Sequence, residues 1–173
     1  MRIALGGLIV LSCMSCANAQ QSAPQPFTRP DYSDNRSSAV DVIRSYYNAI
    51  NLSQYARAYS YKLRGTPELD ANALAADYAK FRDGFSDTAH VWLKLGFVTS
   101  DTAMSTTHYA VPVVIETLSD SGTRQAYAGC YDVVRVSAGV QDFVPFDPIR
   151  IAGGTLHKIN GDMASAAMPK CPI

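Results

Sequence analysis

The chain has 173 residues, 47% of them hydrophobic and 17% charged, with 15 Lys+Arg balanced against 15 Asp+Glu. That length suits one domain, and that apolar share excludes a wholly disordered chain. The charge balance excludes the global basic excess on which nucleic-acid binding draws.

Met1-Arg2 is a short basic start, and Ile3 to Met14 is an apolar run. Ala17 and Ala19 form the small-x-small pattern that a signal peptidase reads, which predicts cleavage after Ala19. The apolar run is about 12 residues, short of the roughly 20 that span a bilayer. Residues 1–19 therefore read as a signal peptide. A lipoprotein anchored through Cys13 or Cys16 is the alternative, although Leu11 and Met14 fit poorly ahead of a lipidated cysteine. Residues 20–36 are rich in Pro, Gln and Ser and read as a flexible tether.

A domain is expected over residues 37–160. Ser37 or Ser38 can cap a helix over 39–50, with Ala39, Val42, Ile43, Tyr46, Tyr47 and Ile50 at helical spacing. Tyr55 and Tyr59 lie four apart in a short second helix, ended by Gly65-Thr66-Pro67. Asp70 caps a third helix whose stripe is Leu74, Tyr78, Phe81 and Phe85, with Gly84 near its end.

From residue 89 the period changes to two. Val91, Leu93, Leu95 and Phe97 alternate with polar or small residues, and so do Tyr109, Val111, Val113 and Ile115. Ser119 to Gly122 is a hairpin turn, followed by a long strand over 124–136. A loop with Pro145 and Pro148 leads to a last strand, Ile149 to Ile159, in which Gly153-Gly154 predicts a bulge or bend. Three helices and then four or five strands make an α+β domain with a mostly antiparallel sheet. Strands this long curve, so the sheet is expected to leave a hollow beneath the helices.

Cleavage after Ala19 would leave two of the four cysteines, Cys130 and Cys171. An even number in an oxidising compartment argues for a disulfide, which would pin the tail, residues 161–173, to the sheet. Neither cysteine has a His at ligand spacing, so no metal site is expected.

The carboxylates that could face the hollow are Asp41, Asp77, Glu116 and Asp132. Asp41 suits the first turn of a helix, Asp77 a solvated face and Glu116 the surface near a turn. Asp132 sits mid-strand, where Arg135 or Arg124 could pair with it. His108 precedes an alternating run and could face the hollow, whereas His90 and His157 sit near strand ends. Among the 10 tyrosines, Tyr46, Tyr47, Tyr55, Tyr59 and Tyr61 cluster. Their apolar bodies and polar tips suit a pocket wall. The candidate ligand contacts are Tyr46, Tyr47, Tyr59, His108, Tyr131 and Asp132. No acid–base spacing, nucleophile elbow or phosphate loop appears, and no cofactor is expected.

The segment Arg44 to Tyr61, RSYYNAINLSQYARAYSY, places a helix ending in Asn before a short tyrosine-rich helix. With this element order, residues 38–160 resemble the nuclear transport factor 2-like superfamily, also called cystatin-like or ketosteroid isomerase-like. The segment is also similar to secreted proteobacterial members of that group. The resemblance implies the cone-shaped sheet and, as in many members, a homodimer. It covers isomerases, dehydratases, ligand binders and interaction modules, so it leaves function open. The expectation is a secreted or periplasmic, non-catalytic binding or interaction module of the bacterial envelope, taking a small apolar ligand or an envelope protein. The alternative is an isomerase- or dehydratase-like enzyme using the cone.

Overall fold

The structure is a computed structural model that describes residues 29–62, 70–141 and 146–173. The expected signal peptide and most of the expected tether lie outside the described residues.

Helix α1 spans Ala39–Asn51. The Ser38 hydroxyl accepts from the Asp41 N–H at 3.1 Å, while the Asp41 carboxylate accepts from the Ser37 and Ser38 hydroxyls. Those two bonds, Ser38 first, hold the Asp41 carboxyl below its ordinary pKa, and a charged group there suits the helix dipole. Val42, Ile43, Tyr46, Ala49 and Ile50 are buried along one face. Ser53 takes a left-handed conformation (φ 58°) and turns the chain out of the helix. Asn51 ties the end of α1 to the sheet. Its side-chain amide donates to the Val91 carbonyl at 2.9 Å and accepts from the Val91 N–H at 2.7 Å.

Helices α2, Tyr55–Ser60, and α3, Ala71–Asp83, complete the layer. Asp70 caps α3 by accepting from the Ala73 N–H at 2.8 Å. The apolar stripe of α3 is only half-buried and packs chiefly on the other helices. Phe81 meets Tyr59 at 5.3 Å and Tyr46 at 6.3 Å, and Phe85, just past the helix, stacks on Tyr55.

The sheet has five strands: β1 His90–Leu95, β2 Thr99–Ala103, β3 Thr106–Leu118, β4 Arg124–Val136 and β5 Ile149–Ile159. All strand pairs are antiparallel, in the order β1-β3-β4-β5. β2 continues along the same edge of β3 as β1. The alternation through Phe97 was expected to be one strand, but it breaks after Leu95, and Phe97 is 87% exposed. Pro112 is the reason. Its carbonyl accepts from the Gly96 N–H at 2.9 Å, so its missing N–H falls on that same edge and cannot hold a neighbour in register. Gly96 fits against the proline ring because it has no Cβ, which would lie 2.9 Å from the Pro112 Cβ. On the outer edge of β2, the Asp101 carboxylate accepts from the Thr102 N–H at 2.9 Å, a charge that blunts an open edge.

The β5 register slips between Asp132 and Val133, one residue from the glycine pair that signalled it. Gly154 is required here. The Tyr131 ring lies over it, only 2.4 Å from where a Cβ would stand.

The odd residues of β3 and β4 face the helices, in a front-face core that joins Val111, Val113, Ile115 and Val133 to α1. The even residues form the back face, over which the tail runs. Val114 and Ala126 are buried there, at 0% and 2% exposure. Cys171 bonds Cys130, and Lys94 Nζ donates to the Ala166 carbonyl at 3.0 Å. Glu116 was expected at the surface. It is buried instead, accepting from Arg124 Nη1 at 2.5 Å and from the Met163 N–H at 3.2 Å. Arg124 in turn lies 4.3 Å over the Trp92 ring.

The last part of the expected tether is held against the helices. The Asn35 N–H donates to Ser45 Oγ at 2.8 Å, Tyr61 donates to Asp34, and Arg36 lies 4.1 Å over the Tyr61 ring.

Candidate functional site

The front face leaves a cavity of about 630 Å³ between the sheet and the 84–88 turn that follows α3. Its apolar walls are Val91, Ile115, Leu156 and Phe85, with Tyr127 beside them. Its rim is hydroxyl-rich, with Ser86 and Thr88 on the turn and Thr117, Ser119 and Thr123 around the β3–β4 hairpin. Gln125 faces Thr117 across the β3–β4 pair. Among the described residues that line the cavity, Asp87 is the one with a charged side chain, and it accepts from the Asp120 N–H at 3.3 Å.

Tyr47 and Tyr131 also line this cavity, and their hydroxyls are 2.6 Å apart. α1 supplies one phenol and the front face of β4 the other. Burial pushes the Tyr47 hydroxyl well above the ordinary tyrosine pKa and raises that of Tyr131 as well. Both therefore stay protonated at physiological pH. In a pair of neutral hydroxyls one donates to the other, and the second proton remains for a third acceptor. The pair can thus offer a ligand oxygen one donor in an apolar setting.

The six candidate ligand contacts divide between different places. Tyr47 and Tyr131 meet in the cavity, with Tyr46 packed beside them at ring distances of 5.0 and 6.3 Å. Burial, aided by the neighbouring Tyr131, raises the Tyr46 phenol pKa as well. Tyr59 belongs to the helix layer, where its hydroxyl donates to Asp77. Asp77 lies on an exposed face, as expected, but it has this partner. His108 and Asp132 lie on the back face, so neither reaches the front cavity. Their contact is 3.2 Å, with both side chains about half exposed.

The expectation that Arg135 or Arg124 pairs with Asp132 is corrected. Arg124 is held by Glu116, and Arg135 reaches forward to donate to the Ser37 carbonyl. Asp132 instead meets a residue of the neighbouring strand, two positions from its direct partner Ala110. A second cavity of about 570 Å³ lies there, bordered by His108, Asp132, Asp101, Thr155 and the tail residues Pro172 and Ile173.

Reasoning from the sequence missed Thr117, Gln125, Tyr127, Leu156 and the 84–88 turn. Tyr127 and Tyr131 share strand parity, a signal that could have found one of them. The turn carried no such signal.

Among the described residues, no helix is long and apolar enough to cross a membrane, and no three His, Cys, Asp or Glu side chains are grouped to hold a metal ion. No protein-family model, curated protein or solved structure matches the chain significantly.

Proposed function

We propose that this chain is an extracytoplasmic binding module of the bacterial envelope, with the front cavity as its binding site. In this reading it follows the nuclear transport factor 2-like plan. The sheet curves as a cone about the cavity, and residues 1–19 direct export. The observation that carries the reading is the pair of buried, neutral phenols set in a cavity of about 630 Å³ with apolar walls. That volume falls among small-molecule sites, roughly 300–1,000 Å³, and such sites combine apolar walls with a few convergent polar groups. The Cys130–Cys171 bond supports an oxidising compartment.

The isomerase- or dehydratase-like alternative needs a carboxylate or histidine within hydrogen-bond reach of a tyrosine donor inside the cavity. The phenols meet each other there, and Asp87 is engaged by the Asp120 backbone. A binding role uses the groups as they stand.

Mass spectrometry of the exported protein, native and then denatured, tests the reading. The expected result is a small molecule retained by the native parent, lost on denaturation and absent from Leu156→Trp, whose larger ring fills the cavity. Equal retention in parent and variant would move the binding elsewhere. An empty parent would shift the case to protein partners, to be sought by cross-linking in the envelope. The denatured mass also reports the mature N-terminus and any attached lipid.

A further inference from the structure

We infer that the ligand of the front cavity is a neutral saccharide, a conclusion that rests on the binding-module reading and narrows it. The rim decides the ligand class. Serine, threonine and glutamine side chains both donate and accept hydrogen bonds, as sugar hydroxyls do. Some of the rim hydroxyls bond one another, Ser119 to Ser121 at 2.7 Å. Among the described residues, the Gln125 amide and the Ser86 and Thr88 hydroxyls have no hydrogen-bond partner in the protein, so they face the opening uncommitted.

Charge narrows the class further. The lining residues described include Asp87 and no Lys, Arg or His. A negative charge at the mouth repels phosphates, sulfates and fatty-acid carboxylates, which would need a cation. A purely apolar ligand fits no better. It would cover the rim hydroxyls and the free proton of the phenol pair without replacing their bonds to water, and each uncompensated group weakens binding. A saccharide meets both demands. Its hydroxyls satisfy the rim and the phenol pair, while the C–H faces of its rings lie against Phe85, Tyr127 and Leu156.

The hydroxyl lining continues past the cavity. Ser86 and Thr88 also border a neighbouring hollow of about 400 Å³, where Asn51, Ser53 and Tyr55 lie with one cation, Arg29, and one carboxylate, Asp120. The Arg29 guanidinium donates to the Leu52 carbonyl at 2.7 Å. Further sugar rings could extend along that path.

Titration calorimetry with maltose, cellobiose and N,N′-diacetylchitobiose tests the inference, with the neutral apolar dye Nile red followed by fluorescence in parallel. At least one disaccharide is expected to bind the parent. Gln125→Ala should weaken it about five- to tenfold at unchanged Tm, as loss of one neutral hydrogen bond does. Leu156→Trp should abolish it, and Nile red should not compete. If no disaccharide binds while Nile red binds the parent but not Leu156→Trp, the cavity is a binding site and the saccharide inference is wrong. If neither probe binds, both readings fail. A disaccharide bound equally by the parent and by Leu156→Trp would place the sugar outside the cavity and would also overturn the inference.

Discussion

Helices close the front of the sheet, laying Val42, Ile43 and Ile50 of α1 over Val111, Val113 and Val133. The C-terminal tail closes the back, through the Cys130–Cys171 bond, the Lys94 contact to the Ala166 carbonyl and the Glu116 contact to the Met163 N–H. Both covers bury residues completely, Val113 in front and Val114 behind. The means differ. The front cover rests on apolar area, roughly 1.5–3 kcal/mol for each large side chain fully buried, and ignores redox state. The back cover is an irregular segment with little helix or strand of its own, held by one covalent bond and a few polar ties. A face can therefore be dry without a second structural layer, provided something fastens the cover.

The largest expected effect breaks that fastening. Cys130→Ser should cost about 4 kcal/mol by the chain-entropy account of a 41-residue separation, read as a lower urea midpoint. The tail should then become protease-sensitive while the rest of the domain resists. Equal resistance of parent and variant would mean that the polar ties alone hold the back cover.

Ile43→Ala attacks the front and should cost about 3 kcal/mol, because a fully buried side chain leaves a cavity in a packed layer. The cost should be the same in oxidised and reduced protein, since the two faces share no contact at that residue. A redox-dependent cost would show that the covers are coupled through the sheet. Gly154→Ala comes next, at about 2 kcal/mol. Its Cβ displaces the Tyr131 ring, so ultraviolet titration of the tyrosines should show the paired phenols ionising at lower pH than in the parent.

The smallest effect concerns pH on the back face. Burial first, and the nearby Arg124 charge second, hold the His90 imidazole below its ordinary pKa of 6.5. Unfolding returns it to water, so the unfolded chain takes up a proton that the folded chain refuses. The stability linked to neutral His90 is complete above pH 6.5 and declines as the pH falls through that value toward the folded pKa. Unfolding midpoints of His90→Gln should lack this part of the acid dependence. Parallel pH curves for parent and variant would remove His90 from the account.

Much of the front face was legible in the sequence, because its residues recur at the period of the element that carries them. Val42, Ile43 and Ile50 announce a helix, and Val111, Val113 and Ile115 a strand. The disulfide was legible by counting cysteines. The back face was not, because its burial comes from a tail without periodicity. Glu116 reads as a surface carboxylate until the Met163 N–H is brought to it by a segment 47 positions away. β2, with the sequence TSDTA, carries no apolar alternation, and pairing with β3 alone makes it a strand. The Asp132 partner depended on register, which placed His108 within reach and sent Arg135 to the other face. Of the site, the tyrosines were visible by composition. The rim was not, since serines and threonines in turns look alike whether they face a cavity or open water.

Pro112 has one more consequence. By interrupting the edge of β3, it leaves β2 attached as a hairpin whose pairing does not run continuously into β1. Breakage of the β2 backbone bonds need not spread along the edge, so the hairpin forms its own opening unit. In deuterated water the amide protons shared between β2 and β3 should exchange together, ahead of those between β1 and β3, and without loss of either cover. A single imino acid thus divides one sheet edge into a slow clock and a fast one.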